Sequence, residues 1–317
     1  MNNKIYDLIV IGAGPIGLYA TFWAKYLKLD VICIEKDEIV GGQVTKLYPS
    51  KMIHDFPTHK NIQAKTIIDL LEDQVGNELI KNKINIIQYE KIDDETIKLI
   101  SENGQKYYTK NILFTIGPGS FEFIKIDESQ LIDVQDDLID YTLKLHKLTH
   151  KKLKTIIFGG GDSALDYAYE LKARYELDSV TLVHRGDKMR GISHTIDELN
   201  EIGVKILLNT QIKNINKNQC YLLQNENEIL LEYDLILVQF GVRSIWSEIH
   251  NWIEFEKKNN RFVVDRYQKT NIDNFYAAGN CCYNDFKIDA IMSGISEATI
   301  AINHIHYKIK KNNKPTY

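Results

Sequence analysis

The sequence predicts an α/β chain of two parallel-sheet domains, the second inserted into the first. Three observations carry this. The chain has 317 residues, more than one hydrophobic core usually organises. A strand–glycine turn–helix–strand unit occurs at the N-terminus and again near the middle. Two glycine-bearing extended stretches, Thr115-Ile-Gly-Pro-Gly-Ser120 and Gln239-Phe-Gly-Val-Arg-Ser244, bracket the second unit.

The first unit reads as strand 6–11, a glycine turn, helix 16–27 and strand 31–35. Short β-rich runs, each followed by a helical pattern, imply crossover helices and parallel pairing. Strand 111–114 leads into the first linker. The second unit repeats the grammar with strand 155–158, a glycine turn, helix 163–175 and strand 180–184. Strand 235–238 leads into the second linker. Beyond it lie Asn274-Phe-Tyr-Ala-Ala-Gly-Asn280 and a helix of small and apolar residues from about 289. The expected domains are 1–118 with 241–317, and 119–240. The basic, asparagine-rich tail 308–314 reads as solvated.

Composition removes several function classes. A net charge of −4 gives no basic field for nucleic acid. No apolar run is long enough to span a bilayer, and the N-terminus enters a strand pattern without signal-peptide features. Cys33, Cys220, Cys281 and Cys282 show neither zinc spacing nor C-x-x-C, so a reducing cytoplasm is expected. Cys33 is expected in a core strand and Cys220 in a turn-rich stretch. His54, His59, His146, His150 and His304 lack ligand grammar, so no metal is expected. The lysines of 144–154 read as a solvated helix end and loop.

The two glycine turns differ in chemistry. Gly12-Ala-Gly-Pro-Ile-Gly17 matches G-x-G-x-x-G. Gly12 permits the tight turn, Gly14 lets backbone approach a pyrophosphate, and Gly17 lets helix and strand pack closely, with Pro15 inside the turn. The helix N-terminus offers free N–H groups to the phosphates. Glu35 ends the next strand, where an acid binds ribose hydroxyls. The second turn, Gly159-Gly-Gly-Asp-Ser-Ala164, has the G-x-G-x-x-A form, with Gly161, Asp162 and Ser163 opening the helix. Its second strand ends in His184-Arg185, with Lys188 and Arg190 close behind. Cations there suit a ribose 2′-phosphate that an acid would repel. The fold is therefore expected to be two Rossmann-like dinucleotide-binding domains, the first for FAD or NAD and the second for NADP.

The chain resembles the ferredoxin/flavodoxin–NADP reductases of the thioredoxin-reductase type. The resemblance is carried by these turns, by Gly41-Gly-Gln43, by Leu47-Tyr-Pro-Ser-Lys51 with Asp55, by Ala277-Ala-Gly-Asn280, and by Ser293-Gly294 with Glu297-Ala298. It implies that FAD is held by the first turn, Glu35, Gly42, Gln43, Tyr48 stacked on the isoalloxazine, Phe121, Gly279 and Asn280. It implies that His184, Arg185 and Arg190 clamp the 2′-phosphate of NADPH. It further implies a homodimer that moves hydride between nicotinamide C4 and flavin N5 and passes single electrons to ferredoxin or flavodoxin, with no protein residue acting as acid or base.

Three positions depart from the family pattern. Gly186 replaces a second arginine, which weakens the expected preference for NADPH. Asn280 replaces an aspartate and loses its charge. The chain ends at Pro315-Thr-Tyr317, before the family's flavin-covering histidine, and Tyr317 is a candidate replacement cap. The stretch 140–154 contains no cysteine, which excludes the dithiol relay of thioredoxin reductases. Two alternatives remain: an NADPH-dependent disulfide reductase using Cys281-Cys282 or a substrate thiol, and a non-catalytic flavin redox sensor.

Overall fold

A computed structural model describes residues 4–148, 150–191, 194–245, 247–252 and 254–310. The described chain forms two compact units, one up to Ser120 and from Ser244 onward, the other Phe121–Arg243.

The first unit is built on a five-stranded sheet in the order Phe275–Ala277, Ile112–Phe114, Leu8–Ile11, Val31–Ile34, Ile80–Lys81. Every pairing in it is parallel. Leu8–Ile11 is wholly apolar because both faces of the sheet are covered. Leu8 and Val10 join the core formed with helices Pro15–Tyr26, Ala64–Val75 and Ile291–Lys310. Ile9 and Ile11 point to the opposite core, which is rich in aromatic rings such as Phe114, Phe262 and Phe275. The expected strand 6–11 is interrupted at Asp7. Ile5–Tyr6 pairs with Lys106–Thr109, whereas Leu8–Ile11 pairs with Val31–Ile34. Asp7 takes the N–H of Asp30 and the ammonium of Lys110, which anchors the crossing between the two sheets. The meander Ile86–Lys91, Ile97–Ser101 and Lys106–Thr109 is antiparallel.

The second unit repeats the plan. Its parallel sheet runs Ile139–Asp140, Leu235–Gln239, Lys154–Gly159, Ser179–Val183, Lys205–Leu207. Ile157, Leu182 and Leu237 pack on the helix side, while Ile156, Phe158 and Ile236 face the antiparallel strands Thr210–Asn216, Gln219–Gln224 and Asn227–Glu232. The expected helix 163–175 is α only over Asp162–Tyr169. It then widens over Glu170–Arg174, where the N–H of Tyr175 reaches back to Glu170 O.

Cys220 is a correction. It lies within strand Gln219–Gln224 and is fully buried, paired across from Ile215. The asparagines at 216 and 218 flank the hairpin turn, but the alternation that follows sends Cys220 and Leu222 inward. Lys147 also differs from expectation, because it is largely covered and pairs with the buried carboxylate of Asp140, which the exposed Lys144 reaches as well. Among the described residues no helix is long and apolar enough to cross a membrane.

Candidate functional site: two glycine turns

In the first unit, Gly12 and Gly17 are demanded by packing. Gly12 has φ +101°, and a Cβ there would lie 2.7 Å from Thr115 O. A Cβ on Gly17 would lie 1.8 Å from Gly12 O. Gly14 is different: a Cβ there meets nothing within 4 Å. It is the N-cap of Pro15–Tyr26, and among the described residues no side chain caps that helix. An open, uncapped N-terminus with approachable backbone is what a dinucleotide pyrophosphate requires, so the turn fits FAD.

Glu35 fastens this turn. Its Oε2 accepts the N–H of Ala13 (2.7 Å) and its Oε1 the N–H of Asp37 (3.0 Å). The side chain is buried, and that burial pushes its carboxyl up despite the two N–H donors. Thr115, which sequence reasoning did not single out, donates its hydroxyl to Gly12 O at 2.7 Å. The only sequence signal for it was its place at the start of the first linker.

Two further segments close on the same turn. The N–H of Gly41 donates to Ala13 O (2.7 Å), and a Cβ on Gly42 would lie 3.5 Å from Gly14 Cα. Gln43 begins the short helix Gln43–Leu47, and the half-buried Tyr48 ends it. Burial pushes the Tyr48 phenol up. From the C-terminal side, Gly279 (φ +78°) would place a Cβ 3.1 Å from Ile16 Cγ1, and Gly294 would place one 2.5 Å from Ile16 Cδ1. The N–H of Gly279 donates to Glu297 Oε2 (2.8 Å), and Glu297 is held in turn by Lys287 at 2.7 Å in a nearly buried ion pair. Asn280 follows, half-buried. Lys287 was not foreseen, because nothing in a single sequence pairs two residues ten apart across a loop and a helix.

Phe121, expected at FAD, falls in the second unit within strand Ser120–Phe123. Tyr317 lies outside the described residues.

In the second unit, a Cβ on Gly159 would lie 2.5 Å from Gln239 O, and one on Gly161 would meet nothing within 4 Å. Gly161, its N-cap, has no side chain to cap the following helix, whose first residues Asp162 and Ser163 are exposed. The loop after the second strand folds back onto this turn: Gly160 O accepts the N–H groups of Arg190 (2.6 Å) and Gly191 (3.0 Å). His184 packs its ring against Gly160, where a Cβ would come within 2.4 Å of it. Burial chiefly, then the charges of Arg190 and Arg185, lower the His184 pKa, so the ring is neutral near pH 7. Gly159, Gly160, His184, Arg185 and Arg190 line one cavity of about 420 Å³. Arg185 and Arg190 therefore converge, both exposed, whereas Lys188 is not among the described residues that line the cavity.

Cys281 and Cys282 are fully buried. The Cys281 thiol lies 3.2 Å from both Phe114 O and Ala278 O, and burial pushes it up to about 12. Burial pushes Cys282 up as well. Among the described residues no cluster of three metal-ligating side chains occurs.

Comparison with known proteins agrees with this geometry. Residues 6–304 match the family model described as pyridine nucleotide-disulphide oxidoreductase. The chain is 35% identical over 316 residues to ferredoxin–NADP reductase 2 of Oceanobacillus iheyensis, covering 96% of this chain and 94% of that one. It is 32% identical to the ferredoxin–NADP reductase of Malacoplasma penetrans, over 95% of this chain and 96% of the other. In structure it resembles T. acidophilum thioredoxin reductase, with TM-score 0.75 at 18% identity, over 98% of this chain and 100% of that one. With both dinucleotide turns in place over this length, the chain belongs to the pyridine nucleotide-disulphide oxidoreductase family, together with these ferredoxin–NADP reductases.

Proposed function

We propose that this chain is an FAD-dependent oxidoreductase that moves electrons between NADPH and ferredoxin or flavodoxin, acting as a cytoplasmic homodimer. The observation that carries the reading is the contrast between the two turns: one closed by the carboxylate of Glu35, the other ringed by Arg185 and Arg190.

Gly12, Gly14, Pro15, Gly17, Glu35, Gly42, Gln43, Tyr48, Gly279 and Asn280 would hold FAD, with Phe121 and Tyr317 as further candidates. Gly159, Gly161, Asp162, Ser163, His184, Arg185 and Arg190 would hold NADPH. Bound flavin supplies the exchange between two-electron transfer with nicotinamide and one-electron transfer with an acceptor. The protein's part is binding, orientation and exclusion of water. Each Glu35 oxygen already takes one backbone N–H and keeps a lone pair for a ribose hydroxyl. Tyr48 offers a flat ring beside the Gly41-Gly42 turn, and its raised pKa keeps the phenol neutral. The buried, protonated state of Cys281 and Cys282 argues against the disulfide-reductase alternative, since thiolate is the reactive form.

The test is direct. Purified protein should be yellow, release FAD rather than FMN, sediment as a dimer, and reduce ferredoxin or flavodoxin with NADPH. A colourless protein that FAD cannot reconstitute would sink the flavin assignment. Turnover with a disulfide but with neither carrier would favour the reductase alternative.

A further inference from the structure

We infer that Lys125 is a third cation of the nucleotide cavity in the second unit and helps select the phosphorylated ribose of NADPH over the bare ribose of NADH. The inference rests on the NADPH reading above.

Lys125 is exposed, follows strand Ser120–Phe123, and lines the same cavity as Arg185 and Arg190. Among the described residues the arginine ion pairs are those of Arg174 and Arg261, and none of the three cavity cations is paired with an acid. Three cations on the wall of one cavity repel one another, and a concave site focuses their field on any anion that enters. His184 adds no charge, because burial and the arginines keep it neutral.

One carboxylate, Asp127, also lines the cavity. Its Oδ1 is tied to the N–H of Ser129 (2.9 Å) and the Ser129 hydroxyl (2.7 Å). The surplus of cations over this one acid suits a phosphate monoester, which carries a charge of about −1.5 to −2 near pH 7. NADH brings no such group.

Gly186 makes the third cation informative. It lacks a side chain, and a Cβ there would stand 2.9 Å from His184 Nε2. A cation at 186 would therefore crowd the ring that packs on Gly160. Lys125 reaches the cavity from a different segment and leaves His184 in place. Its ammonium is a compact point charge, suited to phosphate without bidentate geometry.

The experiment measures equilibrium binding of adenosine 2′,5′-bisphosphate and of 5′-AMP to the FAD-loaded full chain. The proteins are wild type, Lys125→Ala, Lys125→Arg and Arg185→Ala, each at low and high salt. Lys125→Ala should weaken the bisphosphate about five- to tenfold and 5′-AMP by less than about twofold. It should also flatten the salt dependence of bisphosphate binding, and Lys125→Arg should recover most of the loss. Equal weakening of both ligands, no weakening of either, or no recovery with arginine would overturn the proposal. Selective loss in Arg185→Ala alone would overturn it while leaving the NADPH reading intact. If neither variant discriminates between the ligands, the 2′-phosphate assignment falls with it.

Discussion

Cys281 and Cys282 are the one close thiol pair in the sequence, and the fold gives them packing roles. The Cys281 thiol faces two main-chain carbonyl oxygens, and Cys282 lies 3.4 Å from Glu297. A Cys281→Ser, Cys282→Ser double variant should keep most of its NADPH-to-carrier activity, because serine can donate to the same acceptors. In the native protein neither thiol should react with a thiol reagent until denaturant is added. A hundredfold loss of activity with FAD still bound would show that the pair takes part in turnover. His250 is a second residue whose role lies in the core. It is buried, and its Nδ1 accepts the N–H of Ser247 at 3.2 Å. Burial, then Lys257 and Lys36, lowers its pKa from 6.5 to about 4. Between those values the unfolded chain binds more protons than the folded one. The stability from neutral His250 is therefore complete above pH 6.5 and is lost as pH falls through 4, by at most about 3 kcal/mol. Glu35, whose carboxyl is pushed up, acts in the opposite direction. The readout is thus a difference: urea midpoints at pH 7 and 5 should separate more in wild type than in His250→Gln. Equal separations would remove His250 as the source.

The elements most legible from sequence were those with local signals. Strand, glycine turn and helix follow one another within about thirty residues, so spacing alone located both turns. What spacing could not supply was the partner of each glycine. Gly12 meets Thr115, and Gly279 and Gly294 meet Ile16, all distant in the chain. The antiparallel meanders were missed for a related reason. Thr210–Asn216 alternates, but its inward positions are occupied by Thr210, Ile212 and Ile215 around a register shift between Ile212 and Asn214, which breaks the period. Lys125 was passed over because it lies outside every motif and gains meaning only from the cavity wall it shares. The first turn gives a paired prediction. Gly17→Ala sets a Cβ against backbone that cannot yield, and should cost about 3 kcal/mol or prevent folding. Gly14→Ala enters open space and should cost about 1 kcal/mol, mainly as a poorer N-cap. Its larger effect should be on FAD, because the methyl occupies the approach to the helix N-terminus. Denaturation of the apoproteins and flavin retention on gel filtration check both arms. If Gly14→Ala retains FAD like wild type, that opening is not the pyrophosphate site.

At the scale of the whole molecule, the two units differ in how the chain builds them. The first is assembled from two separated stretches, and its central sheet needs Phe275–Ala277 beside Ile112–Phe114. The second is one uninterrupted stretch, Phe121–Arg243, with its own parallel sheet and a core on each face. Leu165, Leu182 and Leu237 sit in one core, and Phe158, Ile215 and Ile236 in the other. Among the described residues, the cavity bearing Lys125, Arg185 and Arg190 is lined by residues of this stretch alone. A continuous segment with a complete core meets the requirements for independent folding. Residues 121–243 expressed alone should therefore unfold in one cooperative urea transition. The fragment should be colourless and should bind adenosine 2′,5′-bisphosphate within about threefold of the full chain, because its binding groups sit on its own scaffold. Deleting the same stretch and joining Ser120 to Ser244 should leave a protein that still binds FAD but no longer oxidises NADPH. Circular dichroism with urea, titration of the bisphosphate and flavin absorbance measure each part. A broad, sloping transition in the fragment would show that its cores need the rest of the chain. Loss of bisphosphate binding by a cooperatively folded fragment would show that the nucleotide site draws on residues outside 121–243.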